Sequence, residues 1–253
     1  MSDNTVYLVT GANRGIGLAL VTQLLHRPHT TVIATSRKPA PDAFSPLTLA
    51  AAAAHPGNKL IPILLDDADP ALGADSLAVR LRAQHGVEGV DVVVANAGGS
   101  AGFKGILETE AEDLVGDFVV NAVGPVRLFR GVWGLMGGGA GRRFVLVTSS
   151  VGSIGGLEEE SFPSTAYGMS KAAANWFAKK LSVEFRGVGL LVGVVHPGWV
   201  KTPMGQALAD AINFKEPPMG VEDSAKAVIE QIDGLTPENS GQFLMYNGKQ
   251  MPW

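Results

Sequence analysis

Seven apolar, β-rich runs punctuate this chain of 253 residues, and longer stretches with helical periodicity separate them. The runs cover residues 5–10, 31–36, 60–65, 90–95, 143–149, 188–195 and 242–245. Most are continuously hydrophobic, which is the pattern of strands buried on both faces of a parallel sheet. The stretches between them predict helices over 15–26, 46–54, 70–85, 109–120, 122–135, 165–185 and 221–232. Such alternation gives an α/β fold: a doubly wound parallel sheet of about seven strands, with helices on both faces and right-handed crossovers.

No composition break or repeat divides the chain, so one domain over 1–253 is expected. Two segments, 150–164 and 197–220, resist the strand-helix pattern. Both begin at the carboxyl ends of expected strands, where open α/β sheets bind ligands, so both are expected to wall a pocket. In the second, Met204, Ala207, Leu208, Ala211, Ile212 and Phe214 recur at helical spacing. They predict a short amphipathic lid over about 198–220, its apolar face toward a substrate; completing the core is the competing role.

Net charge is −4, with no basic run long enough to follow a phosphate backbone, so nucleic acid is not an expected partner. The absence of cysteine excludes disulfides, thiolate catalysis and zinc-cysteine sites, and nothing else calls for a metal. The opening residues lack the basic start and apolar stretch of a secretory leader, and no window is long enough for a membrane span. A cytoplasmic protein is the resulting expectation.

Thr10-Gly11-Ala12-Asn13-Arg14-Gly15-Ile16-Gly17 follows the first strand and opens a helix. Glycines there allow a tight turn and let a pyrophosphate approach the helix N-terminus, although many strand-to-helix turns also contain glycine. The second strand ends in Ala34-Thr35-Ser36-Arg37-Lys38, with no acid before Asp42. A carboxylate there would favour a free adenosine ribose and repel a 2′-phosphate. Arg37, helped by Arg14, can instead make charge-assisted bonds to that phosphate, so NADP(H) is the expected cofactor. Solvated loop charge is the plainer reading of Arg37 and Lys38. Asp66, closing the third strand, could accept from the adenine amino group, while Asp67 and Asp69 could cap the next helix.

Tyr167 and Lys171 stand four apart at the start of a long expected helix, hence on one face. A nearby ammonium favours a phenolate, bringing the phenol toward the working range of a general acid. Alone, the pair could be an ordinary helix face. It accompanies the glycine turn, Asn96-Ala97-Gly98 after the fourth strand, Asn121, Ser149 ending the fifth strand, and Pro197-Gly198. In order and spacing these elements resemble the short-chain dehydrogenases/reductases, over nearly the whole chain.

The resemblance implies a Rossmann-type domain and an NADP-dependent reductase mechanism. Tyr167 would protonate a carbonyl oxygen; Lys171 would hold the nicotinamide ribose and bias Tyr167; Asn121 would anchor a proton-relaying water. Ser149 would hydrogen-bond the substrate oxygen, with Ser150 as its competitor for that role. The Val200 backbone and Thr202 hydroxyl, beyond Pro197 and Gly198, would grip carboxamide and phosphates. Asn96, beside Ala97 and Gly98, would tie the sheet together next to the cofactor. The run Glu158-Glu159-Glu160 reads as an exposed acidic loop.

A homodimer or homotetramer is a further implication of the family, with small residues such as Gly131, Ala172, Ala173 and Ala174 allowing close approach. Residues 5–11, 165–171 and the tail 240–253 are similar to the fungal group around norsolorinic acid ketoreductase, implying an aromatic polyketide ketone as substrate. No arginine cluster suggests a charged substrate, so a bulky apolar or aromatic ketone is expected. An NAD-dependent alcohol dehydrogenase, a nucleotide-sensing scaffold and an enzyme of the same fold recruited for a non-redox step are the alternatives.

Overall fold

Successive side chains of a strand point to opposite faces, so a strand that is apolar throughout needs cover on both. Seven mostly apolar strands among the described residues form one sheet: β1 (Thr5–Val9), β2 (Thr30–Ser36), β3 (Lys59–Leu64), β4 (Val92–Ala95), β5 (Arg143–Val147), β6 (Leu191–His196) and β7 (Phe243–Met245). Their order is β3-β2-β1-β4-β5-β6-β7, and every pair is parallel. The computed structural model describes residues 4–37, 46–66, 73–137, 141–160 and 162–253. Lys38, Asp42, Asp67, Asp69 and the expected helix start at Pro70 lie outside the described residues.

The eight α-helices among the described residues are α1 (Gly15–Leu25), α2 (Pro46–Ala53), α3 (Leu77–His85), α4 (Ala111–Phe118), α5 (Gly124–Met136), α6 (Thr165–Glu184), α7 (Pro203–Ala211) and α8 (Val221–Asp233). Leu20, Val21 and Leu24 of α1 and Val228, Ile229 and Ile232 of α8 cover one face, meeting Tyr7, Val9, Val92 and Val145. Leu81 of α3, Leu128 and Val132 of α5, and Ala174, Ala178 and Leu181 of α6 cover the other, meeting Leu8, Val93, Phe144 and Val194. The parity of each strand thus assigns its side chains to one core or the other.

Chain order reverses between β1 and β4, so the loops leaving their carboxyl ends diverge and open a crevice. Boundaries differ from expectation where the backbone turns early. β5 stops at Val147 because Ser149 already accepts from the Gly152 amide, starting the 3₁₀ turn Ser150–Gly152. β6 starts only at Leu191 because the 3₁₀ turn Arg186–Val188 and Gly189, at φ 77°, come first. The expected break at Asn121 is a π-helical turn, Val119–Val123, that joins α4 directly to α5. Turns of this kind concentrate at functional sites.

Candidate active site

The glycine turn is built around backbone approaches that leave no room for side chains. Gly11 and Gly15 have φ of 62° and 53°, and a Cβ on Gly11 would lie 3.0 Å from Ala97 Cα. A Cβ on Gly17 would run into the Gly11 carbonyl and come within 2.6 Å of Asn96 Nδ2. The Asn96 and Ala97 amides donate to Thr10 Oγ1 at 3.1 and 3.0 Å, and Asn96 Nδ2 donates to Thr10 O at 2.9 Å. Asn96 therefore clasps β4 to the turn after β1. The Ala12 amide donates to Thr35 O of β2 at 2.9 Å, fixing the third strand end of the crevice.

Arg14 precedes α1 in extended conformation, and no side chain caps that helix. Its first amides are the partial positive charge that phosphates seek. Arg14 and Arg37 are both exposed at this rim, and Asn13 and Ile16 are half-buried between them and the cleft. Asp66 follows Leu65, the residue just past β3, whose amide donates to Ser36 O at 2.9 Å, so it sits beside the end of β2. A dinucleotide fits these residues: the cradle is one that a Cβ would fill, and its charged rim is cationic.

The chemical groups gather on the other side of the crevice. Tyr167 and Ser149 line the same cleft. Lys171 is buried; its Nζ donates to Val147 O at 3.2 Å and stands 5.6 Å from the Tyr167 ring centroid. Asn121 is also buried: its Nδ2 donates to Gly99 O at 2.8 Å and Ser170 Oγ at 2.9 Å, while its Oδ1 accepts from the Gly99 amide at 3.0 Å. A Cβ on Gly98 would lie 3.1 Å from Asn121 Oδ1 and 3.4 Å from Lys171 Nζ, so these three converge. Ser150 is buried and does not line that cleft; its amide donates to His196 Nδ1 at 3.1 Å.

Three features depart from the sequence reading. Burial pushes the Tyr167 phenol up, not down; Ser149 opposes this, and the charge of Asp117 adds to it. No depression by the neighbouring ammonium accompanies this; Lys171 is itself held down to about 8 by burial, with Asp117 acting against that. Glu160 leaves the exposed acidic run: it is half-buried on Ser150, and desolvation raises its carboxyl. On α7 the buried residues are Leu208 and Ala209, whereas Ala207 and Ala211 are exposed, so the helix buries a narrower face than the spacing predicts.

Residues that the motifs did not point to complete the site. Asp117, one turn before Asn121, is buried and accepts from the Ala101 amide at 2.7 Å. Asn175, one turn after Lys171, accepts from Thr148 Oγ1 at 2.6 Å and donates to Gly152 O at 3.1 Å, anchoring the end of β5. His196 is held down to about 4 by burial and so is neutral.

The cleft in front of Tyr167 is lined by Phe103, Val151, Trp199, Met204 and Leu208, with Pro197, Gly198, Val200 and Thr202 along its floor. Phe214 packs on Trp199 at 5.1 Å between centroids, and Trp199 Nε1 donates to Gly205 O at 3.0 Å. Thr202 Oγ1 caps α7 by accepting from the Gly205 amide at 3.1 Å, and its methyl lies 3.3 Å from where a Gly15 Cβ would be. Val200 is buried and bridges to Met219.

The family model described as short chain dehydrogenase matches residues 5–213. The norsolorinic acid ketoreductase of Aspergillus parasiticus is 36% identical, with 99% of this chain and 92% of that protein covered. The NADPH-bound carbonyl reductase from chicken fatty liver superposes with a TM-score of 0.81 at 29% identity, covering 100% of both chains. The carbonyl reductase Sniffer of D. melanogaster gives 0.82 at 27% identity, covering 99% of each. No helix among the described residues is long and apolar enough to cross a membrane. With its parallel sheet, glycine turn and Tyr167-Lys171 pair in one crevice, the chain belongs to the short-chain dehydrogenase family of oxidoreductases.

Proposed function

We propose that the protein is an NADPH-dependent ketone reductase in which Tyr167 donates the proton. The observation that carries this is that Tyr167 and Ser149 line one cleft, with Lys171 against the Tyr167 ring and beside Asn121, at the same sheet edge as the glycine turn. NADPH supplies a hydride when bound. Gly11, Asn13, Gly15, Ile16, Gly17 and the first amides of α1 would cradle its pyrophosphate. Arg14 and Arg37 would take the 2′-phosphate, Asp66 the adenine, and Ala97, Gly98, Pro197, Gly198, Val200 and Thr202 the nicotinamide half. NADP is also bound in related structures, the chicken carbonyl reductase among them.

Ser149 and Tyr167 would hold the carbonyl oxygen together, so that charge developing there meets two donors aimed in advance. A phenol whose proton is held tightly in the ground state releases it only when that oxygen becomes strongly basic. Lys171 would hold the nicotinamide ribose hydroxyls and receive protons by way of a water that Asn121 would anchor. Phe103, Trp199 and Leu208 favour a bulky apolar or aromatic ketone, and segment 198–220 would be its lid within a single domain over 1–253. A homodimer or homotetramer would bury the exposed apolar groove of Leu114, Val115 and Phe118 on α4 against Met169 on α6.

The test is a panel of aromatic and polycyclic ketones assayed by loss of NADPH absorbance, repeated with NADH. Turnover with NADPH well above that with NADH supports the reading. Absence of turnover across the panel, or a strong NADH preference, overturns it.

A further inference from the structure

Helix α4 buries one residue, and that residue is an acid. Asp117 is 3% exposed, whereas Val115 and Phe118 beside it are 63% and 47% exposed. Its Oδ1 accepts from the Ala101 amide, and its Oδ2 is buried with no hydrogen-bonding partner. A neutral acceptor would serve the Ala101 amide equally well. Burying a carboxylate with one bare oxygen costs free energy that a hydrogen bond to one amide does not return. The charge therefore calls for a reason beyond the loop contact.

The charge bears on Lys171 and Tyr167. Helices α4 and α6 pack side by side, with Asn121 bridging them through Ser170. Lys171 is 4% exposed, and its one hydrogen bond among the described residues goes to a neutral carbonyl, Val147 O. It forms no salt bridge there, so its counter-charge acts through space. Asp117 is the one charged group that opposes the desolvation of this amine, and it also raises the Tyr167 phenol. In a poorly polarisable interior such fields reach further than at the surface.

Among the described residues, the other elements packed on Lys171 supply no second acid. The end of β5 offers a carbonyl, the turn Ser150–Gly152 offers Gly152, and the loop after β4 offers Gly98. Tyr167 lies one turn away on its own helix, and His196 at the end of β6 is neutral. Asp117 itself is faced by Asp113, already paired with Lys104 at 2.6 Å, and by Lys171.

We propose that Asp117 is a positioning residue whose buried charge keeps protons on both Lys171 and Tyr167, loading the site to donate a proton. The function assigned to that loading rests on the reductase reading; the electrostatic pairing does not. The charge also explains why the site can bury an amine beside a phenol without releasing the amine's proton.

The pairing is tested on the full chain, without cofactor, by following the Lys171 Cε resonance through a pH titration. The wild-type midpoint is expected near 8. In Asp117→Asn, which keeps an acceptor for Ala101, the midpoint should fall by about one pH unit or more, a tenfold change in proton affinity. An unchanged midpoint in the folded variant overturns the proposal. If Asp117→Asn does not fold, Lys171→Met provides the reciprocal test: the Asp117 carboxyl carbon should titrate at higher pH than in wild type, and no change overturns the proposal. For ketone reduction, the alkaline fall of kcat/KM should move to lower pH in Asp117→Asn, with NADPH affinity at pH 6 unchanged. A shifted Lys171 midpoint in a protein that reduces no ketone would defeat the reductase reading and leave the pairing standing.

Discussion

Phe103 presents its ring edge-on to Tyr167, with centroids 5.9 Å apart and planes at 71°. The same ring lines the cleft, so it both steadies the phenol and meets substrate. Edge-to-face pairs contribute about 0.5–1.5 kcal/mol beyond their buried area. Phe103→Ala should therefore lower kcat/KM for ketone reduction by roughly two- to tenfold, with NADPH affinity unchanged by fluorescence titration. Equal loss of NADPH affinity would place the ring against the cofactor instead.

Tyr167→Phe keeps the ring and its contact with Phe103 but removes the hydroxyl and its proton. A positioned general acid is worth about 10²–10⁴-fold, and losses of that order in kcat are expected while NADPH still binds. Full turnover in this variant would mean that another group delivers the proton.

Arg37 is exposed at the end of β2, where solvent screens its charge. A charge-assisted bond to a 2′-phosphate, discounted for that exposure, is worth on the order of 1.4 kcal/mol. Arg37→Ala should raise the KM for NADPH about tenfold and leave that for NADH nearly unchanged. Parallel rises for both cofactors would separate Arg37 from the phosphate.

Gly17 has no space for even one carbon, since the Gly11 carbonyl and Asn96 Nδ2 occupy it. Gly17→Ala must push α1 away from the turn, breaking the clasp between Asn96 and Thr10. The variant should bind NADPH at least tenfold more weakly and melt at lower temperature. Wild-type affinity would show that the turn can reshape without cost.

His196 is held down to about 4 against an ordinary value of 6.5, so folding disfavours its protonated form. Its contribution to stability is complete above pH 6.5 and is lost as pH falls through 4. The shift corresponds to about 3 kcal/mol. Denaturant unfolding should show His196→Gln to be less sensitive to acid than the wild type across this window. Identical pH profiles would mean that the imidazole protonates freely in the folded state.

Much of this architecture could be read from residue order. Largely apolar runs such as residues 143–149 and 188–195 signal strands covered on both faces, and the observed strands differ mainly at their ends. Those ends depend on where a backbone leaves its ladder, as at Ser149, and side-chain pattern carries little of that. Tyr167, Lys171, Asn121 and Ser149 were visible because their spacing is tied to particular elements. Asp117 was not: it follows Glu110, Glu112 and Asp113, and reads as one more acid on a solvated face. Glu160 was hidden in the same way. A run of like charges does not reveal which member turns inward. The choice between Ser149 and Ser150 likewise needed the backbone turn that leaves Ser149 in the cleft with Tyr167 and buries Ser150 outside it.

The wide turn at Val119–Val123 does for this helix what an offset does in a crankshaft. One helix must hold Asn121 against Gly99 and Ser170 while aiming Leu128 and Val132 at the sheet. Each residue of a regular helix advances the side chains by about 100°, and the extra residue in the wide turn supplies the correction between the two halves. Excising Val120 would remove that correction. Either the amide of Asn121 would swing away from its loop, or the apolar face of α5 would roll off the core.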